Sequence, residues 1–456
     1  MITVKISDKF IQEKKYIIDV LLSDFIGLDF KILSAPGNCD YEVVLENGNS
    51  LLIRDIFFSR FKDGQDYLSF NEIPDKVDFI KNQFIPGENI PVIFGTGELT
   101  LKQNNITCGI DVFASSFFML ARWEEYANKK RDAHNRFPAN ESLAYKNGFL
   151  NRAVVNEYVE MLWNMLCKLN CAQSRKKRAF RVCATHDVDS PFRYAGKSAA
   201  VAIKQFGGDL VKRKNPGAAV YNFNLWARTT MVDAKKDPYN TFDSIMDFSD
   251  RAGIHSTFLF IAEAAWPEFD GNYCVSDKLP RKLLSGIVKR GHEIGLHLSY
   301  GSFDDPAQTK REFDKLKTVC FEQGIRQKQW LCRQHYLRWD TPQTFANIDG
   351  AGVDYDSTLS FANSAGFRCG VCYEFPVFNI LTRERLRLRE RPLLVMECTV
   401  IDQRYMGLGA GEEAFLYIKS IKDICRRFKG DFVILWHNTR FIDMQELRLY
   451  AQILQA

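Results

Sequence analysis

The sequence predicts an α/β protein in two parts: a smaller mixed α/β domain over residues 1–174, then repeated βα units over residues 175–456. Three observations lead there. From about residue 179 onward, apolar segments of strand length alternate with helical stretches, the pattern of a parallel sheet or a barrel. Before residue 174, hairpin and helix signals are mixed without that alternation. Between the two stands the basic run Ser174-Arg-Lys-Lys-Arg178, which reads as a solvated linker. With 456 residues, 46% hydrophobic and 26% charged, the chain is long enough for two or three domains, each with its own core.

In the first part, Tyr41–Leu45 and Leu51–Arg54 flank a hairpin turn at Asn47-Gly48. Ile90–Phe94 is an apolar strand. It runs into Gly95-Thr-Gly97, which lacks the Lys-Ser/Thr of a P-loop. Asp111 is placed to cap a helix through about Asn128, and a second helix spans about Ala153–Cys171. Arg122 and Glu124-Glu125 read as a solvated helix face. In the second part, strands are expected at Ala179–Thr185, Ser256–Ile261, Glu293–His297, Gln329–Arg333, Leu393–Cys398 and Asp431–His437. Helices are expected at Lys278–Arg290, Lys310–Gln323 and Glu412–Phe428. In either a parallel sheet or a barrel, chemistry gathers at the carboxyl ends of the strands.

Composition narrows the partners. A net charge of +5 is small for this size and implies no nucleic-acid footprint. The first residues scatter Lys and Asp where a signal peptide needs an unbroken apolar stretch. No apolar run approaches the ~18 residues that cross a bilayer, so a cytoplasmic protein without a membrane span is expected. Cys183, Cys332 and Cys398 lie in apolar segments as small buried hydrophobes do, which suits a reducing compartment. The pairs Cys369/Cys372 and Cys167/Cys171 do not make the regular framework of a structural zinc.

Seven histidines are few for this length, and several fall at the expected strand ends. The first strand ends Thr185-His-Asp187-Val-Asp189. Alternation puts Asp187 and Asp189 on one face and His186 on the other. Two carboxylates sharing a face call for a cation, or else they cap a turn into Ser190-Pro191. In Gly291-His292-Glu-Ile-Gly-Leu-His297, the two histidines point to opposite faces. His297, nearer the carboxyl end, is the metal candidate and His292 a structural residue. Arg333 and His335 share a face after the next strand, where an Arg can orient a carboxylate. The last strand delivers His437 at its tip, a candidate proton donor. One carboxylate with one or two imidazoles makes a metal site with open positions, suited to hydrolysis of an amide or ester.

In this order the segments resemble the polysaccharide deacetylase family, carbohydrate esterases that remove acetyl groups from sugars. The likeness covers about residues 178–445. Thr185-His-Asp187-Val-Asp189 resembles the Thr-Phe-Asp-Asp motif of that family, and His255-Ser-Thr-Phe-Leu-Phe the Ala-Thr-Phe-Phe strand. Gly291-His-Glu-Ile-Gly-Leu-His297 is similar to Gly-His-Glu-Ile-Gly-Asn-His. Arg333-Gln-His335-Tyr336 falls where the family has Arg-x-Pro-Tyr, and Leu435-Trp-His437 matches Leu-x-His. The resemblance implies an irregular (β/α)7 barrel, with Asp187 as general base, Asp189 and His297 as ligands of a divalent metal, zinc by preference, Arg333 orienting the base and His437 as general acid. There are two departures. Val188 separates the acidic residues, which leaves base and ligand interchangeable between Asp187 and Asp189. Gly301 stands where the family has its second metal-binding His. His335 is then a third ligand, a substrate hydrogen bond or a structural residue.

Tyr355-Asp-Ser-Thr-Leu359 and Ala365-Gly-Phe-Arg368-Cys-Gly370 resemble a cytoplasmic branch associated with capsule and surface-polysaccharide clusters, whose members carry an N-terminal α/β domain of unknown function. Asp111–Glu125 and Arg136–Ser142 look like that domain. Arg368 is either a contact for a sugar acid or phosphate, or half of an ion pair. The expected activity is hydrolysis of a carbon–nitrogen bond other than a peptide bond: removal of an N-acetyl, or alternatively an O-acetyl, group from an amino sugar or oligosaccharide that serves as a surface-polysaccharide precursor. The alternative is a degenerate barrel that binds carbohydrate without turnover.

Overall fold

The structure, a computed structural model, describes residues 1–37, 40–196, 200, 203, 206, 210–211, 216–231 and 233–456. Two main sheets organise them. The first is built from β1 (Ile2–Ser7), β2 (Phe30–Ala35), β3 (Tyr41–Val44), β4 (Ser50–Ile53), β7 (Gly95–Leu101) and β8 (Asn105–Ile110), in the spatial order β2-β1-β3-β4-β8-β7. Beside it, β5 (Asp78–Ile80) and β6 (Ile90–Val92) form an antiparallel pair. The expected hairpin pairs Tyr41 with Ile53 and Val44 with Ser50. Gly48 takes the positive φ of 84° that its turn requires.

Asp111 caps a helix as its side chain predicts, accepting from Ala114 N at 3.0 Å. The helix Val112–Ala121 ends earlier than expected, however. Arg122 turns left-handed at φ 53°, and a short helix, Trp123–Ala127, begins beyond it. The solvated face expected of Arg122, Glu124 and Glu125 is also overturned: all three are buried. Arg122 lies 2.9 Å from Glu125 and 3.3 Å from Glu124, and Arg368, from the second part of the chain, meets Glu125 at 2.5 Å. Arg368 is therefore the ion-pair residue of its two alternatives, enclosed rather than offered to a ligand.

The second sheet comprises β9 (Arg181–Val188), β10 (Thr257–Ile261), β11 (Glu293–Leu298), β12 (Leu331–Gln334), β13 (Tyr355–Asp356), β14 (Phe375–Asn379), β15 (Glu384–Glu390), β16 (Val395–Met396) and β17 (Asp431–Leu435). Their order is β14-β15-β13-β12-β11-β10-β9-β17-β16. Every neighbouring pair is parallel except β14 with β15. All residues of β10 and β17 are buried, as strands covered on both faces are. The helices Phe242–Arg251, Lys278–Lys289, Pro306–Glu322, Gln343–Ala351, Glu412–Arg427 and Met444–Gln455 follow strands in the alternation expected.

The sheet curls into an irregular barrel. Leu337, just past β12, packs with Leu393, Met396, Val433 and Leu435 from the β16–β17 end. Arg333 on β12 reaches across to β9. The hydrogen-bonded ladder leaves β14 and β16 as edges. One local expectation is corrected. The strand expected over Leu393–Cys398 is only Val395–Met396, because Glu397 starts a helical turn that ends at Ile401. The basic stretch Arg383–Arg391 contains β15, an edge-side strand whose arginines point outward and disguise its buried Leu388. Among the described residues, no helix is long and apolar enough to cross a membrane.

Candidate active site

Parallel register sets the polar groups at one level. Ile261 pairs with His297 across β10 and β11, and His297 with Arg333 across β11 and β12. The strand ends therefore share the carboxyl rim. Asp187 lies in β9 and Asp189 just beyond it, while His335 opens the turn after β12 and His437 follows β17.

Asp189 Oδ1 lies 3.3 Å from His297 Nε2 and 3.6 Å from His335 Nε2. One ligand atom from each of the three residues falls within 4.8 Å of the others. Each ring is oriented from behind. His297 Nδ1 is 3.0 Å from Arg333 O, and His335 Nδ1 is 2.9 Å from the buried Asp270 Oδ1. These outer contacts turn both Nε2 atoms toward Asp189. Asp189 Oδ1 and His297 Nε2 are nonetheless buried without a hydrogen-bond partner. Buried polar atoms are rarely left so. An oxygen and two imidazole nitrogens match the donor set of zinc with positions left open, so the residues present fit a divalent cation.

Gly301 contributes nothing, and the place of its missing side chain is filled. A Cβ there would lie 2.1 Å from Trp266 Nε1. One carboxylate ties the replacement together: Asp270 accepts from Trp266 N at 2.8 Å and from Tyr300 N at 2.7 Å while holding His335. Asp270 thus fixes the indole over Gly301 and the imidazole from the neighbouring strand.

Asp187 is held separately. Its Oδ1 accepts from Arg333 Nη1 at 2.8 Å, and its Oδ2 lies 3.7 Å from His297 Nε2. Arg333 is fixed in turn by Thr185 Oγ1 at 3.0 Å, Ser357 O at 2.8 Å and Ser357 Oγ at 3.0 Å. On the far side, His437 Nε2 lies 3.7 Å from Asp189 Oδ2, and its Nδ1 is 2.5 Å from Glu397 Oε1. The His437 amide donates to the same oxygen at 3.1 Å.

Charge follows this geometry. Burial works against ionisation of Asp187, yet the Arg333 guanidinium and the nearby imidazoles hold its carboxyl below the usual range. Asp189 is drawn well below that range against the same burial, chiefly by His335. Burial disfavours a charged His335, but Asp189 and Asp270 outweigh it and push the imidazole up to about 9. His437 is likewise raised well above an ordinary imidazole, burial being overcome by Glu397.

The six residues singled out in the sequence are thus brought to one rim, while Asp270 and Glu397 were missed. Glu397 had a signal, a lone carboxylate inside the apolar run Leu394-Val-Met-Glu397-Cys-Thr-Val. Asp270 had none beyond the turn-forming Asp-Gly pair. The remaining barrel histidines serve structure. His186 Nδ1 lies 2.7 Å from Trp436 O, with burial pushing its pKa down to about 4. His292 accepts from Ser256 N at 3.1 Å, and His255 Nδ1 is 2.9 Å from Gly291 O.

Residues 2–171 match DUF7033, a family of unknown function. None of the curated proteins matches the sequence. Among solved structures, a Mycobacterium smegmatis protein assigned as a polysaccharide deacetylase is similar at 15% identity and a TM-score of 0.39, over 61% of this chain and 84% of the other. An allantoinase is similar at 13% identity and a TM-score of 0.37, over 61% and 84%. A polysaccharide deacetylase from Bacillus cereus is similar at 13% identity and a TM-score of 0.27, over 61% and 86%.

Proposed function

We propose that this protein is a metal-dependent hydrolase that removes an acetyl group from an amino sugar, acting within surface-polysaccharide biosynthesis. The observation that carries this reading is the unsatisfied pair Asp189 Oδ1 and His297 Nε2, buried face to face beside His335. Asp189, His297 and His335 would hold the cation. When bound, it supplies Lewis-acid activation of the acetyl carbonyl and of water.

The chain's own groups divide the remaining work. Asp187, kept ionised and aimed by Arg333, takes a proton from the attacking water at its Oδ2, since its Oδ1 is engaged. This separates the two acidic residues: the one fixed by a guanidinium is the base, and the one with an unpartnered oxygen is the ligand. His437, kept protonated by Glu397, gives its Nε2 proton to the departing amine. Glu397 and Asp270 are positioning residues that act through His437 and His335.

A barrel that binds carbohydrate without turnover is the second reading, favoured by the loss of a side chain at Gly301. Acetate release from N-acetylated sugars by the zinc-loaded chain separates the two. Release by the parent, lost in Asp187→Asn and His437→Ala, supports the hydrolase. Sugar binding without release from the zinc-loaded parent would leave the binding barrel.

A further inference from the structure

Among the described residues, the region that precedes the barrel meets the carboxyl rim at Arg131–Ala139. Arg131 Nη2 lies 2.8 Å from Asp340 Oδ1, and Ala139 N donates to Asn363 Oδ1 at 3.0 Å. Between these anchors, Arg136 Nη1 donates to Tyr336 O at 3.0 Å while Arg338 Nε donates back to His134 O at 2.9 Å. Tyr336 and Leu337 both hold left-handed backbone, at φ 60° and 55°. Residues with side chains keep that conformation only where their surroundings enforce it. Arg136, itself paired with Asp132 at 2.8 Å, is one of those enforcing contacts.

Rings line the same place. His134 lies 4.8 Å from Tyr336 by ring centroids, and Tyr336 lies 4.8 Å from His335. His134 Nδ1 is 3.1 Å from the Tyr300 hydroxyl, and Phe269 stacks on Tyr300 at 3.9 Å with the planes 12° apart. The rings of His134, Phe269, Tyr300 and Tyr336 are half-buried, and Trp266 beside them is 51% exposed. A core would enclose such rings; a row of them left accessible beside a polar cluster is the usual wall of a ligand site. Among the described residues, the Tyr336 hydroxyl and His134 Nε2 make no hydrogen bond, so both are open to sugar hydroxyls.

We propose that Arg131–Ala139 forms a wall of the active site that seats the sugar ring next to the acetylated one, with His134 and Tyr336 in contact with it and Arg136 positioning Tyr336. This rests on the hydrolase reading above and names its substrate class as an oligosaccharide. The rings run outward from the strand ends, His335 meeting Tyr336 and Tyr336 meeting His134. The apolar faces of a pyranose pack on such rings while its hydroxyls meet the polar edges.

The test uses the full zinc-loaded chain with N-acetylglucosamine and its β-1,4-linked tetramer as probes. Turnover of the tetramer is expected to have the lower KM. His134→Ala raises that KM about five- to tenfold, leaving kcat, zinc affinity and the monomer's KM unchanged. Arg136→Ala weakens zinc about tenfold through the His335 turn, and Arg136→Lys recovers part of the loss. Equal KM values for monomer and tetramer in the parent, or an unchanged tetramer KM in His134→Ala, would overturn the proposal. Saturation-transfer NMR of tetramer binding needs no turnover and separates this inference from the activity. Transfer to the parent that is lost in His134→Ala upholds the wall even if no acetate is released. Absence of transfer to the parent overturns it.

Discussion

Two of the buried ionic clusters among the described residues are built on opposite principles. In the one joining the N-terminal region to the barrel, every charge is answered. Glu125 accepts from Arg122 and from Nε and Nη2 of Arg368, and Glu124 accepts from Arg122 and from Leu143 N. At the strand ends, Asp187 is answered in the same way by Arg333, but the facing atoms of Asp189 and His297 make no hydrogen bond. A satisfied buried network fixes structure, whereas an unsatisfied one marks a place where something else completes the set.

That contrast can be broken at several points. The largest effect is expected at the strand ends: Asp187→Asn or His437→Ala lowers kcat about 10²- to 10⁴-fold with folding intact, read by steady-state kinetics beside thermal melting. At the joint the sign reverses. Arg368→Ala leaves buried Glu125 with Arg122 as its one remaining cation and costs about 3 kcal/mol in denaturant unfolding, while zinc affinity in the surviving folded protein stays unchanged. Asp270→Asn weakens zinc about 10- to 100-fold, because it loosens His335 without removing a ligand atom; calorimetric titration reads this directly.

The smallest effect is a shift in pH. The base is needed ionised and its pKa is depressed, so activity falls on the acid side only below the ordinary carboxylate range. The acid is needed protonated and its pKa is raised, so activity falls on the alkaline side well above the usual imidazole value. Glu397→Gln removes the charge that raises it, and the alkaline limb of kcat/KM should move down in pH. An unmoved limb would remove His437 from the acid role.

Most of the barrel was legible because its strands are buried on both faces. Runs such as Thr257–Ile261 and Asp431–Leu435 stand out as short apolar blocks between helices. The edge was harder to read. Arg385 and Arg387 alternate with Leu386 and Leu388 in β15, and charge density hid the period. Part of the site was readable because strand alternation decides which residues face the rim. It put Asp187 and Asp189 on one face and His297 toward the carboxyl end, whereas Arg333 orienting Asp187 was implied only by the family resemblance. The outer layer was not, because Asp270 and Glu397 act on imidazoles brought close only by the fold. Burial of Arg122 and Glu125 was hidden for the same reason, since Arg368, the second cation on Glu125, lies far along the chain.

The proposed metal site depends most on His335, which would complete the set that Gly301 leaves short. Elemental analysis of the purified chain after zinc loading and desalting tests this directly. One zinc per chain in the parent, lost in both His297→Ala and His335→Ala with folding retained, is the predicted result. Full zinc occupancy in His335→Ala, or a parent that takes up no zinc under any loading, would contradict it.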